Sequence, residues 1–195
     1  MAQTLRQAWV GLRVLLVMTV LLGIVYPLAI FAVGRIVPSL SDGSRVTDST
    51  GTVVGSRLIG QTFDGPEWFQ SRPSAAGDGY DALASGGSNL AADNPALVDA
   101  VAERKAAAAA ADGVAPAAVP PDAVTASGSG LDPDISPEYA DQQVSRVAKA
   151  RGLSEEAVAG LVADNTQGRL LGFIGEPRVN VLELNLALSS QPGGA

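Results

Sequence analysis

The sequence of 195 residues contains neither cysteine nor histidine. Without thiols the chain cannot form disulfides, carry lipid on cysteine or use a thiolate nucleophile, and without imidazole it cannot build a histidine-bound zinc site or a Ser-His-Asp triad. Aromatic residues make up only 5% of the chain, beside 22 glycines, which predicts a lightly packed domain steadied by partners. Most common hydrolase chemistry is excluded, and we expect no catalytic residues and no metal site.

Positive charge is also scarce, because 13 basic residues face 20 acidic ones and the net charge is −7. Arg6, Arg13 and Arg35 precede every acidic residue, so the chain after Arg35 has a net charge of −10. Such a domain repels nucleic acid and anionic membrane surfaces, whereas it mildly enriches cations nearby. We therefore expect no nucleic-acid partner.

What the sequence does contain is one long apolar run, Val14 to Gly34, 21 residues without a charge. As a helix it would extend roughly 31 Å, enough for the hydrocarbon core of a bilayer. A cleaved signal peptide would have a shorter apolar region, and a buried helix of a soluble domain would have a polar face, so both alternatives are disfavoured. We predict one membrane-spanning helix.

The charges beside this span predict its orientation. Arg6 and Arg13 lie before it, whereas acidic neighbours dilute Arg35 and Arg45 after it. Because basic residues near a span tend to stay in the cytoplasm, we predict a single-pass protein of the cell membrane with its amino terminus inside. The predicted division is a cytoplasmic segment 1–13, a span 14–36, an extracytoplasmic domain 37–188 and a disordered tail 189–195.

Two features of the predicted span concern its packing. Pro27 removes one backbone hydrogen bond and should kink the helix. Thr19 and Gly23, four residues apart, place two small residues on one face, where another helix can approach closely. Chance spacing is the alternative explanation for this pair.

Beyond the span, the pattern predicts one α+β domain with short strands and several helices. Residues 36–50 are rich in Ser, Asp and Gly and predict a turn region without regular structure. Thr52 to Gln61 predicts two short strands joined by a turn at Gly55-Ser56. Arg169 to Ile174 predicts another strand, whereas 180–188 fits a strand or a helix, and the spacing of Asn180 and Glu183 favours the helix.

Capping residues mark three helices. They begin at Pro95, Pro137 and after Ser154, and the first two end at Gly113 and Gly152. The first helix is nearly all alanine in its later half, so we expect a surface helix that frays at its end. The second and third helices should form a hairpin whose inner face carries Val144, Val147 and Ala148.

A Ser- and Gly-rich loop precedes the second helix and invites a comparison with phosphate-binding loops. It lacks the Gly-Lys-Ser/Thr ending of a P-loop, it has no basic residue from Ser127 to Tyr139, and Asp132 and Asp134 would repel phosphate. A tight turn whose hydroxyls satisfy local backbone groups is the favoured interpretation. Arg72, held extended by the following proline, is expected to pin a loop to the domain, with ligand binding as the alternative.

Several stretches together resemble one family, the C subunit of the bacterial Kdp-type potassium-transporting P-type ATPase. The longest is Val124 to Leu153, VTASGSGLDPDISPEYADQQVSRVAKARGL. The others, in the same order as in the family, are Gly60 to Phe63, Arg72 to Ala75, Ala84 to Asn89 and Gly172 to Val181, with Leu182 to Leu188 behind the last. The sequence departs from the pattern at Asp134, where many relatives carry His, and in the alanine-rich stretch Ala106 to Ala118.

This resemblance implies an accessory, non-hydrolysing subunit of an ATP-driven, high-affinity potassium uptake complex. Its partners would be a channel-like potassium-translocating subunit and a P-type pump subunit that hydrolyses ATP. The family is described as a catalytic chaperone that raises the pump subunit's affinity for ATP, and Gln143 matches a glutamine implicated in that role. No cofactor would be bound by the chain alone, and ATP would enter through the pump subunit.

The predicted orientation conflicts with direct contact between Gln143 and cytoplasmic ATP, so we expect an indirect effect on the conformation of the pump subunit. We expect Thr19 and Gly23 to form a packing face in the membrane. The expected interface loop consists of Ser127, Gly128, Ser129, Gly130 and Asp132, together with Arg72. A membrane-anchored extracytoplasmic enzyme, using two carboxylates or a serine with Lys105 or Lys149, and a generic binding module are the alternatives.

Overall fold

The computed structural model of the chain describes residues 1–191, with Leu40 described by its backbone only. The chain divides into two compact units, residues 1–44 and the part that begins at Arg45. The second unit mixes short strands and helices, which confirms the predicted α+β class. The last four residues of the predicted tail 189–195 lie outside the described residues.

The first unit is dominated by one helical stretch, Ala2–Ile36, whose apolar window has a mean hydropathy of 2.6 and is 0% buried within the chain. It consists of α1 (Ala2–Val20), a π-helical turn (Leu21–Val25) and α2 (Tyr26–Ile36), followed by the short α3 (Pro38–Ser41). Within the described residues, this is the one helix long and apolar enough to cross a membrane. The wider π turn lies just before Pro27, whose ring would crowd a regular preceding turn.

The second unit begins with a hairpin that the sequence did not predict. β1 (Arg45–Thr47) pairs antiparallel with β2 (Val53–Ser56). The predicted lack of regular structure over residues 36–50, which contain β1 and α3, and the predicted turn at Gly55-Ser56 are both wrong. The true turn is closed by Asp48, whose Oδ1 accepts hydrogen bonds from the Thr50 and Thr52 backbone N–H groups, each at 2.9 Å. These bonds, with the one from the Thr50 hydroxyl as the largest contribution, lower the pKa of Asp48.

The helices begin and end where the capping residues predict. They are α4 (Pro95–Asp112), α5 (Pro137–Arg151), α6 (Glu155–Asn165) and α7 (Val181–Ser189). Asn94, Ser136, Ser154 and Asn180 each accept a hydrogen bond from a backbone N–H of the first turn, which satisfies a donor that a helix start otherwise leaves unpaired. Gly113 and Gly152 end α4 and α5 with φ of +69° and +65°.

Two of the sequence predictions for the end of the chain meet different outcomes. The segment after Asn180 is helical, as favoured. The predicted strand at Arg169 to Ile174 is wrong, because Leu170 and Ile174 exchange two backbone hydrogen bonds of 2.9 Å and fold these residues into a tight turn. Leu171, with φ of +53°, and Gly172, with φ of +83°, allow the chain to reverse there.

A small antiparallel sheet and the helical hairpin of α5 and α6 form the core. The sheet has the order β3 (Asp134–Ile135), β5 (Arg178–Asn180), β4 (Thr166–Gln167). Two single 3₁₀ turns, Pro116–Ala118 and Pro121–Ala123, connect α4 to the loop before β3. The fully buried apolar side chains come from the long loop between β2 and α4 (residues 57–94) and from α5, α6, β5 and α7. They include Phe69, Val147, Val158, Val179, Leu184 and Leu188.

The alanine-rich end of α4 is held in place, so the expected fraying is wrong. Ala109 is 5% exposed, and Asp112 forms an ion pair with Arg146 of α5 at 2.7 Å between Oδ1 and Nε. The other carboxylate oxygen accepts a hydrogen bond of 2.7 Å from Gln142 Nε2. The buried Asp112 carboxylate thus anchors the alanine-rich end of α4 to α5.

We expect Asp112→Ala to lower the free energy of unfolding by about 3 kcal/mol, because it leaves the buried Arg146 charge without its carboxylate. Asp141→Ala, which removes an exposed carboxylate from α5, should change stability by less than about 0.5 kcal/mol. Urea denaturation of the full-length chain in detergent, followed by circular dichroism, compares the two. Equal stabilities of the two variants would contradict the anchoring role of Asp112.

Candidate interaction site

Arg72 joins two irregular segments of the domain, the loop that follows β2 and the loop that precedes β3. Its Nη1 lies 2.8 Å from Asp132 Oδ2, and Nε and Nη2 donate to the Thr125 carbonyl at 3.4 and 3.3 Å. The Tyr80 hydroxyl donates to the Arg72 carbonyl, and burial raises the pKa of Tyr80. The pairing confirms the expectation that Arg72 pins a loop to the domain.

The loop Ser127, Gly128, Ser129 and Gly130 packs against the second Ser- and Gly-rich loop of the chain, residues 84–89. The Ser129 carbonyl accepts hydrogen bonds from the Gly86 N–H at 2.8 Å and from the Ser85 hydroxyl at 3.0 Å. A Cβ at Gly130 would lie 2.7 Å from both Ala76 N and Gly86 O, and Gly130 has φ of +67°. These glycines therefore allow two loops to approach, and the Ser129 hydroxyl accepts from Leu131 N–H, as a tight turn requires.

A cleft of about 800 Å³ is lined by both partners of the Arg72–Asp132 ion pair. One wall is formed by the apolar stretch 117–121, and the other carries charged side chains of the sheet and its neighbouring loops. The charged lining consists of Arg72, Asp122, Asp132, Asp134, Glu138, Glu176 and Arg178. Two ion pairs, Arg72 with Asp132 and Arg178 with Asp134, neutralise part of that wall. The cleft thus offers a surface that combines apolar and charged groups.

Asp134 is part of this wall. Its Oδ2 accepts from Arg178 Nε at 2.9 Å, and its Oδ1 accepts from Asn180 Nδ2 at 3.2 Å. Burial raises the pKa of the Asp134 carboxyl, although the Arg178 guanidinium opposes part of that rise. In this chain the position ties β3 to β5.

Gln143 does not line the cleft and is completely buried on α5. Its Oε1 accepts hydrogen bonds from Gln70 N–H at 2.6 Å and from Arg146 Nη2 at 2.7 Å. Its Nε2 donates to the carbonyls of Gln70 and Tyr139 at 3.2 and 3.3 Å. Both amide acceptor and donor groups are therefore used within the domain.

A second buried amide repeats this contact one residue earlier in the loop. Asn185 of α7 accepts from Phe69 N–H and donates to the Phe69 carbonyl, both at 2.9 Å. Arg146 adds hydrogen bonds to the carbonyls of Pro66 and Trp68 at 2.7 and 2.9 Å. The sequence did not predict that Arg146 and Asn185 fix the loop at residues 66–69 by hydrogen bonds. A polar residue inside the run LELNLAL was the available signal for Asn185.

The predicted membrane face lies in the helical unit. Gly23 belongs to the π-helical turn, and a Cβ built there would meet no atom of the described residues within 4 Å. Thr19 is exposed near the end of α1. In residues 1–191, no three His, Cys, Asp or Glu side chains are grouped so that they could hold a metal ion. Gln143, the loop 127–132 and the pair Thr19 and Gly23 thus occupy three separate places in the chain.

The sequence matches one protein family over nearly its whole length. A family model described as KdpC, K⁺-transporting ATPase, c chain, matches residues 8–190. A potassium-transporting ATPase KdpC subunit from Kineococcus radiotolerans is 67% identical over 186 residues, which cover 95% of this chain and 94% of that protein. Its counterpart from Beijerinckia indica is 51% identical over 98% of this chain and 95% of its own length. The chain therefore belongs to the KdpC family of potassium-transporting ATPase subunits.

Proposed function

We propose that this chain is the accessory, non-hydrolysing subunit of an ATP-driven potassium uptake complex, anchored by its apolar helix and working from the extracytoplasmic side. The observation that carries the proposal is the helical stretch Ala2–Ile36, which is apolar and 0% buried within the chain and therefore needs lipid and neighbouring helices around it. The domain that follows it has a net charge of −10. Membership of the KdpC family is the reason for proposing a potassium-transporting ATPase complex.

The partners that we propose are the channel-like potassium-translocating subunit and the P-type ATP-hydrolysing subunit of the same complex. In the proposed orientation, the acidic domain lies near the extracytoplasmic entrance for potassium and mildly concentrates cations there. Exposed carboxylates scarcely distinguish potassium from sodium, so selectivity belongs to the channel-like partner.

The absence of cysteine makes the orientation directly testable. We expect Ser190→Cys, at an exposed position after α7, to react with a membrane-impermeant maleimide in intact cells. Gln3→Cys should react only after the membrane is permeabilised, because the basic residues near the amino terminus keep it inside. The reverse pattern would place the domain in the cytoplasm and overturn the proposed site of action.

The helix is proposed to dock against another membrane helix through Thr19 and Gly23. Small residues allow backbones to approach closely, and the space beside Gly23 is open in this chain. We expect Thr19→Leu combined with Gly23→Leu to lower recovery of the partner subunits with the tagged chain in detergent. Ala32→Leu enlarges a small residue on a different face of the same helix and should leave recovery unchanged. Unchanged recovery with both variants would show that this face does not dock.

We propose that the chain raises the ATP affinity of the pump subunit indirectly, by favouring one conformation of that subunit. The burial of Gln143 supports this route, because among the described residues its amide bonds only to Gln70, Tyr139 and Arg146. A nucleotide would have to replace these bonds to reach it. Gln143 therefore acts by holding the loop at Gln70 in place.

The contact between the Asn185 amide and the Phe69 backbone provides a matched comparison for this proposal. Gln143→Leu and Asn185→Leu each remove an amide that holds one residue of the same loop, and each should lower stability by about 2 kcal/mol. If the effect on ATP is indirect, both variants should raise the KM of the purified complex for ATP by similar factors. A rise confined to Gln143→Leu would contradict the indirect route.

The isolated full-length chain gives an independent test. A ligand that binds the folded state raises the melting temperature in proportion to the logarithm of its concentration over Kd. We expect millimolar ATP to leave the melting temperature of the chain alone unchanged. A rise that Gln143→Leu abolishes would show direct nucleotide binding.

A further inference from the structure

The turn that follows α6 exposes an unusual amount of apolar surface. Leu170, Leu171 and Phe173 are 66%, 76% and 73% exposed, and Ile174 is 48% exposed. Isolated exposed apolar residues are ordinary, but four within five residues form one patch, and such patches mark interaction sites. We call residues 170–174 the apolar turn.

The apolar turn is closed by backbone hydrogen bonds. Its ends are joined by two hydrogen bonds between Leu170 and Ile174, and the Gly172 N–H donates to the Arg169 carbonyl at 3.0 Å. Leu171 has φ of +53°, a conformation that costs a non-glycine residue free energy and that surrounding structure must maintain. A preformed apolar projection loses little conformational entropy when it is bound.

Charged side chains next to the apolar turn in the chain form ion pairs. Arg169 forms an ion pair with Glu176, and Arg178 pairs with Asp134 and donates to Gln167 Oε1 at 3.1 Å. An apolar centre with a polar rim is the usual anatomy of a protein–protein contact.

We propose that the apolar turn is the anchor by which the domain docks into an uncharged apolar pocket on the extracytoplasmic surface of another subunit of the complex. This inference rests on the proposed function, which supplies the partner. Lipid is the weaker occupant, because a domain of net charge −10 is repelled by anionic membranes. A second copy is also weaker, because two domains of net charge −10 repel each other.

The cleft described above continues the docking surface away from the apolar turn. Glu176, Pro177 and Arg178 follow the turn in the chain and line the cleft, so one partner surface can contact both. The membrane helix raises the effective concentration of the domain at its partner, which allows a small contact to suffice. The turn would then act as a hot spot and the cleft as the surrounding complementary surface.

The test compares two exposed leucines within the intact complex. Leu171→Asp places a charge in the apolar turn at a backbone conformation that Asp tolerates, whereas Leu83→Asp makes the same change at a leucine that is 98% exposed elsewhere. We expect Leu171→Asp to lower recovery of partner subunits with the tagged chain by about tenfold, and Phe173→Ser to do the same. Leu83→Asp should match the unmodified chain.

The controls separate this inference from the proposed function. Melting temperatures of the purified variants must stay close to that of the unmodified chain, since all three side chains are exposed. Equal recovery with Leu171→Asp, Phe173→Ser and Leu83→Asp would overturn the docking role of the turn, while the proposed function stands. Failure of the unmodified chain to recover any partner would overturn the proposed function itself.

Two further measurements test whether lipid or a second copy of the chain binds the apolar turn instead. Phe173→Trp in the chain alone, reconstituted in nanodiscs with brominated lipid, should show no more fluorescence quenching than the unmodified chain. Added quenching would assign the turn to lipid and overturn a protein pocket. Self-association of the purified chain that Leu171→Asp abolishes would assign the turn to a second copy and would likewise overturn it.

Discussion

One guanidinium, that of Arg146, holds the irregular part of the domain to its helices. It pairs with Asp112 at the end of α4 and donates hydrogen bonds to the Gln143 amide oxygen and to the carbonyls of Pro66 and Trp68. Asp112 and Gln143 are buried from water, so the loss of Arg146 would leave each without one of its hydrogen-bond partners. A chain with few aromatic side chains thereby fixes a long loop by hydrogen bonds as well as by packing.

This arrangement assigns different tasks to the residues that the family pattern brings together. Gln143 and Asn185 clamp consecutive backbone positions from two different helices, and Arg72 joins two loops through Asp132. The Ser- and Gly-rich loops close against each other because their glycines leave room. The matching stretches of sequence thus build the domain, and the surfaces available to partners are the cleft, the apolar turn and the membrane helix.

Local chemistry explains which parts of the fold could be predicted. The helix starts at Asn94 and Ser136 and the end at Gly152 depend on residues within one turn of the boundary, and these predictions are confirmed. The hairpin of β1 and β2 and the turn at 170–174 depend on pairing across the chain, which periodicity alone does not reveal. Asp112 and Arg146 lie 34 positions apart, and Gln70 and Gln143 lie 73 apart, so no spacing rule joins them. For the site, the sequence predicted the role of Arg72 but not the cleft or the buried clamps.

The π-helical turn at Leu21–Val25 has a consequence for how the membrane helix can meet a neighbour. Because a π turn holds more residues than an α turn, it rotates everything beyond it by roughly a quarter of a revolution relative to an unbroken α-helix. A face that starts in α1, such as the one that carries Thr19, therefore does not continue straight along α2. A neighbouring helix that follows this face must change its own direction at the π turn, or two different neighbours must contact the one helix.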